Sequence, residues 1–127
     1  MMKSFRAGIL ISAIALGAIS ALAAGMEPAK MADTAKGKAW VDAKGMTLYI
    51  FDKDAAGKSN CNDKCTTTWP PLVAATDDKA AGDWTVIVRN DGSRQWAHKG
   101  KPLYRWTSDK KPGDVTGDGV NGFHVAK

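Results

Sequence analysis

Two stretches of this 127-residue sequence repeat each other, WVDAKGMTLYIFDKD at residues 40–54 and WAHKGKPLYRWTSD at residues 96–109. From the glycine of each stretch onward the shared residues fall at identical spacing, and only the interval from tryptophan to glycine differs, by one residue. The shared residues are Gly45 and Gly100, Leu48 and Leu103, Tyr49 and Tyr104, Phe51 and Trp106, and Asp54 and Asp109. A solenoid needs at least about three units, so two copies predict a duplication that closes one small domain.

Both copies have the local composition of β-strands. Residues 38–51 are rich in β-branched and aromatic residues and contain a turn that ends at Gly45, which predicts a β-hairpin. Residues 84–89, WTVIVR, form the clearest strand and open a predicted three-stranded meander over residues 84–106. Because no later segment has a sustained helical period, we predict an all-β or mainly β domain, a sandwich or a compact, barrel-like meander.

The N-terminus has the composition of an export signal. Lys3 and Arg6 precede a long uncharged apolar run, which is typical of a signal peptide. Small residues follow the run and predict cleavage after Ala23 or Ala24. The run is shorter than the roughly 20 apolar residues that span a bilayer, so we expect no transmembrane segment in the mature chain.

The chain is expected to divide into three parts. These are a signal peptide at residues 1–24, a flexible linker at 25–37 and a duplicated β domain at 38–127, with repeats at about 38–72 and 94–127. The linker is expected because its residues are small and polar and follow no apolar period. The mature protein is expected in the periplasm or outside the cell.

The positive charge does not indicate a nucleic-acid partner. The chain carries a net charge of +5, and two of its cations, Lys3 and Arg6, belong to the predicted signal peptide. The other cations alternate with carboxylates and form no extended basic run. Since nucleic-acid binding needs a concentrated basic footprint, we expect no such partner.

Further motifs accompany the two copies, namely C-x-x-x-C-x-x-x-WPP at residues 61–71, DG-x-x-QW at 91–96 and GD-x-x-GDG at 113–119. Together with the repeated stretch they resemble a bacterial family of secreted repeats, predicted lipoproteins that are defined by a Yx(FWY)xxD motif. The motif residues here are Tyr49, Phe51 and Asp54 in the first copy and Tyr104, Trp106 and Asp109 in the second. The resemblance spans nearly all of the predicted mature chain and implies an exported β-rich protein. It implies no biochemical activity, and the lipid-attachment cysteine of many members has no counterpart in this sequence.

Cys61 and Cys65 are the two cysteines of the chain, four residues apart. In an oxidising compartment they are expected to form a disulfide that pins the loop before Trp69. A redox-active dithiol or a metal site are the alternatives, and His98 and His124 are the weak candidates for further metal ligands. The longer spacing and the following prolines differ from a redox C-x-x-C motif at a helix start.

The five tryptophans all follow the predicted signal peptide. Burial of several would supply much of the core of so small a domain. The alternative is that some project as a stacking platform for a ligand, and Trp69 and Trp96 are the candidates for such a surface. Asp54 and Asp109 are expected to accept backbone N–H bonds that fix the loops after their strands, rather than to act as an acid–base pair.

These observations favour an exported, non-enzymatic β-repeat protein that acts as a binding or envelope-associated module. No catalytic residues and no cofactor are predicted, and the expected partner is an envelope component or a small ligand. The sequence gives no indication of oligomeric state. The alternative function is a periplasmic redox or metal-handling protein that uses Cys61 and Cys65.

Overall fold

A computed structural model describes residues 27–127 of the chain. The predicted signal peptide therefore lies outside the described residues. The elements are β1 (Lys30–Thr34), β2 (Gly37–Val41), β3 (Tyr49–Phe51), α1 (Lys64–Thr68), β4 (Trp84–Val88), β5 (Arg94–His98), β6 (Lys101–Pro102) and β7 (Phe123–Val125). The protein is mainly β, as predicted, and the two repeats form one small domain.

The strands make three small antiparallel sheets, β1 with β2, β3 with β7, and β4 with β5 and β6. Strand β1 lies inside the segment predicted to be a flexible linker, so the folded part of the chain reaches back at least to Lys30. Its polar sequence carries no strand signal of its own. The strand forms because β2 offers it a full register of partners, from Lys30 opposite Val41 to Thr34 opposite Gly37.

Of the predicted hairpin and the predicted meander, the structure contains the meander in full and the hairpin only in part. The meander is present as β4, β5 and β6, although β6 is only two residues long. In the first copy, β2 and the next strand touch at a single bridge, between Val41 and Thr47. The chain then departs from the predicted hairpin, because β3 pairs with β7 at the far end of the sequence.

A pseudo-twofold relation between the two copies organises the centre of the domain. The N–H of Tyr49 donates to the carbonyl of Tyr104 at 2.8 Å, and the N–H of Tyr104 donates to the carbonyl of Tyr49 at 2.9 Å. The N–H groups of Leu48 and Leu103 donate to Trp40 and Trp96 of their own copies. Equivalent residues therefore make equivalent backbone bonds on both sides of the tyrosine pair.

The two copies have different turns, which accounts for the one-residue difference in the interval from tryptophan to glycine. In the second copy, Lys99 and Gly100 both have positive φ, at 52° and 82°, and form the two-residue turn between β5 and β6. The first copy has one more residue between tryptophan and glycine, and of that turn only Gly45 has positive φ, at 84°. A Cβ on Gly45 would lie 3.0 Å from the Pro112 side chain, so the turn of one copy packs closely on the exit loop of the other.

Two buried clusters lie on opposite faces of the central strands because side chains alternate along a strand. Leu48 and Leu103 belong to one cluster with Trp84 and Trp96, which we call the Leu48 cluster. The other, the Tyr49 cluster, contains Tyr49, Tyr104, Trp69 and Phe123. The apolar rings thus fill the core from both sides of the central tyrosine pair.

The structure buries both tryptophans that the sequence offered as candidates for an exposed stacking platform. Trp69 is 1% exposed and Trp96 is 6% exposed. Trp69 follows the short helix α1 and is covered by aromatic rings of both copies, and Trp96 lies in β5 against Trp84. Pro70 and Pro71 therefore continue the chain past a buried ring and do not project it into solvent.

Within residues 27–127, no helix has the length and apolar character that crossing a bilayer requires.

Candidate functional site

The motif tyrosines and aspartates bond across the two copies. Tyr49 of the first copy donates its phenol proton to Asp109 Oδ2 of the second at 2.7 Å. Tyr104 of the second copy donates to Asp54 Oδ2 of the first, also at 2.7 Å. Both tyrosines are fully buried. Each copy supplies one tyrosine donor and one aspartate acceptor, so the two copies are joined by a reciprocal pair of charge-assisted hydrogen bonds.

The second oxygen of each motif aspartate holds the loop that follows it. Asp54 Oδ1 accepts the N–H of Asn60 at 2.7 Å. Asp109 Oδ1 accepts the N–H of Thr116 at 2.9 Å and its hydroxyl at 2.7 Å. These are the backbone bonds expected of an aspartate after a strand, and they leave both oxygens of each carboxylate engaged.

Burial is the main influence on the pKa values of the motif tyrosines and of Asp54. It raises the pKa of the Tyr49 phenol, and the hydrogen bond to Asp109 raises it further. Burial likewise raises the pKa of Tyr104. The pKa of Asp54 is raised mainly by burial, against the opposing effect of its bonds from Asn60 and Tyr104. Both phenols therefore stay neutral throughout the ordinary pH range.

A buried cation connects the tyrosine centre to the cysteine loop. Arg89 is 6% exposed and donates to Ser59 Oγ at 2.9 Å, to Gln95 Oε1 at 2.6 Å and to the carbonyl of Cys61. Ser59 Oγ in turn lies 2.5 Å from the Tyr104 phenol. The sequence signal for this network is an arginine at the end of the apolar stretch WTVIVR. Spacing alone does not predict the network, because the partners of Arg89 come from both copies.

Cys61 and Cys65 form a disulfide at the start of α1, with a Cα–Cα distance of 5.3 Å. Cys61 is fully buried and its carbonyl is held by Arg89. The disulfide loop is therefore joined to the core on two sides, which is the bracing position that the sequence predicts for it.

The two histidines lie in separate environments. His98 packs between Trp40 and Trp84, at ring-centroid distances of 4.7 Å and 4.5 Å, and burial lowers its pKa. His124 on β7 has its Nε2 2.8 Å from Asp52 and its Nδ1 3.8 Å from Asp118. Among the described residues no group of three or more His, Cys, Asp or Glu side chains could hold a metal ion.

Four rings of the Tyr49 cluster and its surroundings stack in one column, in the order Trp106, Trp69, Phe123 and Phe51. The successive centroid distances are 4.2 Å, 3.8 Å and 4.2 Å. The inner two rings are buried, and the outer two, Trp106 and Phe51, are half-buried. The motif aromatic of each copy thus ends the column at a surface.

A cleft lies at each end of this column. The cleft at Phe51, of about 280 Å³, combines the motif segment of the first copy with the turn of the second; its lining residues are Ile50, Phe51, Asp52, Asp54, Ala55, Ala56, Lys99, Gly100, Lys101 and Pro102. The cleft at Trp106, of about 230 Å³, combines the motif segment of the second copy with the turn of the first; its lining residues are Met46, Thr47, Pro70, Arg105, Trp106, Thr107 and Asp109. We call them the Phe51 cleft and the Trp106 cleft.

The two clefts are equivalent under the duplication. Ile50, Phe51, Asp52 and Asp54 correspond position by position to Arg105, Trp106, Thr107 and Asp109, and Lys101 and Pro102 correspond to Met46 and Thr47. Each cleft has an aromatic floor, a motif aspartate whose oxygens are already bonded and a variable polar rim. In both clefts the oxygens of the motif carboxylate are therefore held by bonds within the protein.

Comparison with known proteins supports the duplication. A family model described as a secreted repeat of unknown function matches residues 30–73 and again residues 85–126. The first match begins at β1, and the second begins within β4, earlier than the repeat boundary at residue 94 expected from the sequence. The comparisons with curated proteins and with solved structures found no match.

The reciprocal bonds predict a specific pattern of energetic coupling. In double-mutant cycles of Tyr49→Phe with Asp109→Ala, urea unfolding should give a coupling free energy of about 1.5 to 3 kcal/mol, as expected for a buried bond to a charged acceptor. The matched control is Tyr49→Phe with Asp54→Ala, which pairs the same tyrosine with the aspartate of its own copy. A larger coupling in the control cycle would contradict the cross-copy assignment.

The tyrosines also predict a pH dependence. Their pKa values are raised in the folded state, so their contribution to stability is complete below the unfolded value of about 10 and is lost as pH rises above it. Since Tyr49 and Tyr104 are the two tyrosines of the chain, the ultraviolet absorbance of tyrosinate measures only these residues. Ionisation of the native protein should coincide with unfolding, whereas the chain in denaturant should titrate near 10. Gradual ionisation near 10 by protein with native circular dichroism would refute the prediction.

Proposed function

The chain belongs to the secreted-repeat family, and we propose that it is a non-enzymatic binding module of the cell envelope that recognises its ligand at the Phe51 cleft and the Trp106 cleft. The family description supports an exported protein. The periplasm or the cell exterior, the binding role and the envelope ligand are the parts that we propose.

The duplication of the clefts is the observation that carries this proposal. Of the motif side chains, tyrosine and aspartate are consumed by bonds within the core. The motif aromatic instead ends the ring column at a cleft in both copies. An aromatic floor with polar groups at its rim is a common arrangement for ligand binding, since the ring supplies contact area and the rim supplies orientation.

The alternative redox function has weaker physical support. Thiol exchange needs an accessible sulfur and a stabilised thiolate. Cys61 is fully buried and Cys65 is half-buried, and Arg89 donates to the carbonyl of Cys61 and to neighbouring side chains rather than to a sulfur. This favours a bracing disulfide over a catalytic one.

Filling the clefts should weaken envelope binding without changing the charge of the protein. We expect the mature protein to co-sediment with a bacterial envelope fraction, and the double variant Ala55→Trp/Thr107→Trp to bind about tenfold more weakly because an indole occupies each cleft. The matched control is Ala80→Trp/Thr67→Trp, which adds the same rings at exposed positions outside both clefts. Thermal unfolding of each variant checks that it is folded. No retention of the native protein, or an equal loss in the control, would disprove the binding role of the clefts.

A further inference from the structure

We propose that both clefts select ligands with an oxyanion, a carboxylate or a phosphate, carried next to a flat or apolar face. This rests on the proposed function and adds the chemical class of the ligand. The motif carboxylates at the clefts have both oxygens hydrogen-bonded, whereas the cations at the rims have no such partners within the described residues, and this difference is the basis of the inference.

The motif carboxylates of the clefts are committed to the protein. Both oxygens of Asp54 and both oxygens of Asp109 accept hydrogen bonds from the two copies. In the Phe51 cleft, the exposed side chain of Asp52 is engaged through one oxygen, because its Oδ2 lies 2.8 Å from His124 Nε2. A cationic ligand would therefore have to compete with existing bonds at Asp54 and Asp109, and with His124 for one oxygen of Asp52.

The cations of the clefts are uncommitted. Within residues 27–127, the side chains of Lys99, Lys101 and Arg105 have neither a hydrogen bond nor an ion pair, and Lys101 and Arg105 are exposed. Lys99 and Lys101 line the Phe51 cleft, and Arg105 lines the Trp106 cleft. Each cleft thus offers positive charge to a ligand beside its aromatic floor.

The backbone at Lys99 is a second, independent observation. Its φ of 52° is in the left-handed region, which favours asparagine, aspartate or glycine in a two-residue turn. The sequence nevertheless places lysine there, on the wall of the Phe51 cleft. A residue in an unfavourable conformation at a surface cleft is explained if its side chain serves the ligand.

The two clefts supply their charge differently. In the Phe51 cleft the two ammonium groups come from the turn, on either side of Gly100. In the Trp106 cleft the guanidinium comes from the motif segment itself, and its planar fork suits two oxygens of one carboxylate or phosphate. We infer that both clefts bind oxyanions and that each depends on its own cation.

Three related sugars test this inference by nuclear magnetic resonance of the mature protein. N-acetylglucosamine is neutral, N-acetylmuramic acid adds a carboxylate, and N-acetylglucosamine 1-phosphate adds a phosphate. The amides of Gly100 and Thr107 serve as reporters of the Phe51 cleft and the Trp106 cleft. We expect saturable shifts at both with at least one anionic sugar, at an affinity about tenfold or more above that for the neutral sugar. The anionic sugar that binds identifies carboxylate or phosphate as the group recognised.

Variants assign the charge to each cleft. Lys99→Asn/Lys101→Gln should remove binding at Gly100 and leave that at Thr107, and asparagine keeps the left-handed turn at position 99. Arg105→Gln should do the reverse, while the control Lys53→Gln/Lys79→Gln should change neither. Equal affinity for the neutral sugar would overturn the inference while leaving a binding module intact. Absence of shifts with all three sugars would also overturn it, and retention on the envelope fraction would then decide the proposed function separately.

Discussion

The rest of the structure depends on one interaction, the buried hydrogen bond from a motif tyrosine to the motif aspartate of the other copy. It occurs twice, Tyr49 to Asp109 and Tyr104 to Asp54, each at 2.7 Å. A buried phenol is costly without a partner, and so is a carboxylate that is buried, as in Asp109, or half-buried, as in Asp54; neither copy is therefore satisfied alone. The motif therefore joins the two repeats by hydrogen bonds. Because each repeat needs the other to complete these bonds, the fold requires both copies.

The clefts follow from the same hydrogen bonds between the copies. Because each tyrosine reaches into the other copy, the turn of one copy is brought against the motif segment and exit loop of the other, as Gly45 against Pro112 shows. The aromatic of each motif then lies between a shared ring column and a composite cleft. A ligand at either cleft would contact both repeats, which links recognition to the integrity of the whole domain.

The sequence predicted what depends on local pattern and on the duplication: the mainly β class, the meander over β4, β5 and β6, and the Cys61–Cys65 disulfide. It did not predict β1, because a polar strand is stabilised by its partner strand rather than by its own composition. The proposed exposure of Trp69 was wrong because the rings that cover it, Trp106 and Phe123, come from the distant second copy. The partners of Tyr49 and Arg89 were likewise not predicted, since residue spacing within one copy carries no information about contacts between copies.

Native-state hydrogen exchange of the two central amides tests this account most directly. The N–H groups of Tyr49 and Tyr104 donate to each other's carbonyl, one from each copy. If the repeats are interdependent, both amides should exchange only by global unfolding, with one opening free energy equal to that from denaturant unfolding. An opening free energy for either amide well below the global value would show that one repeat unfolds while the other persists, and would contradict the account.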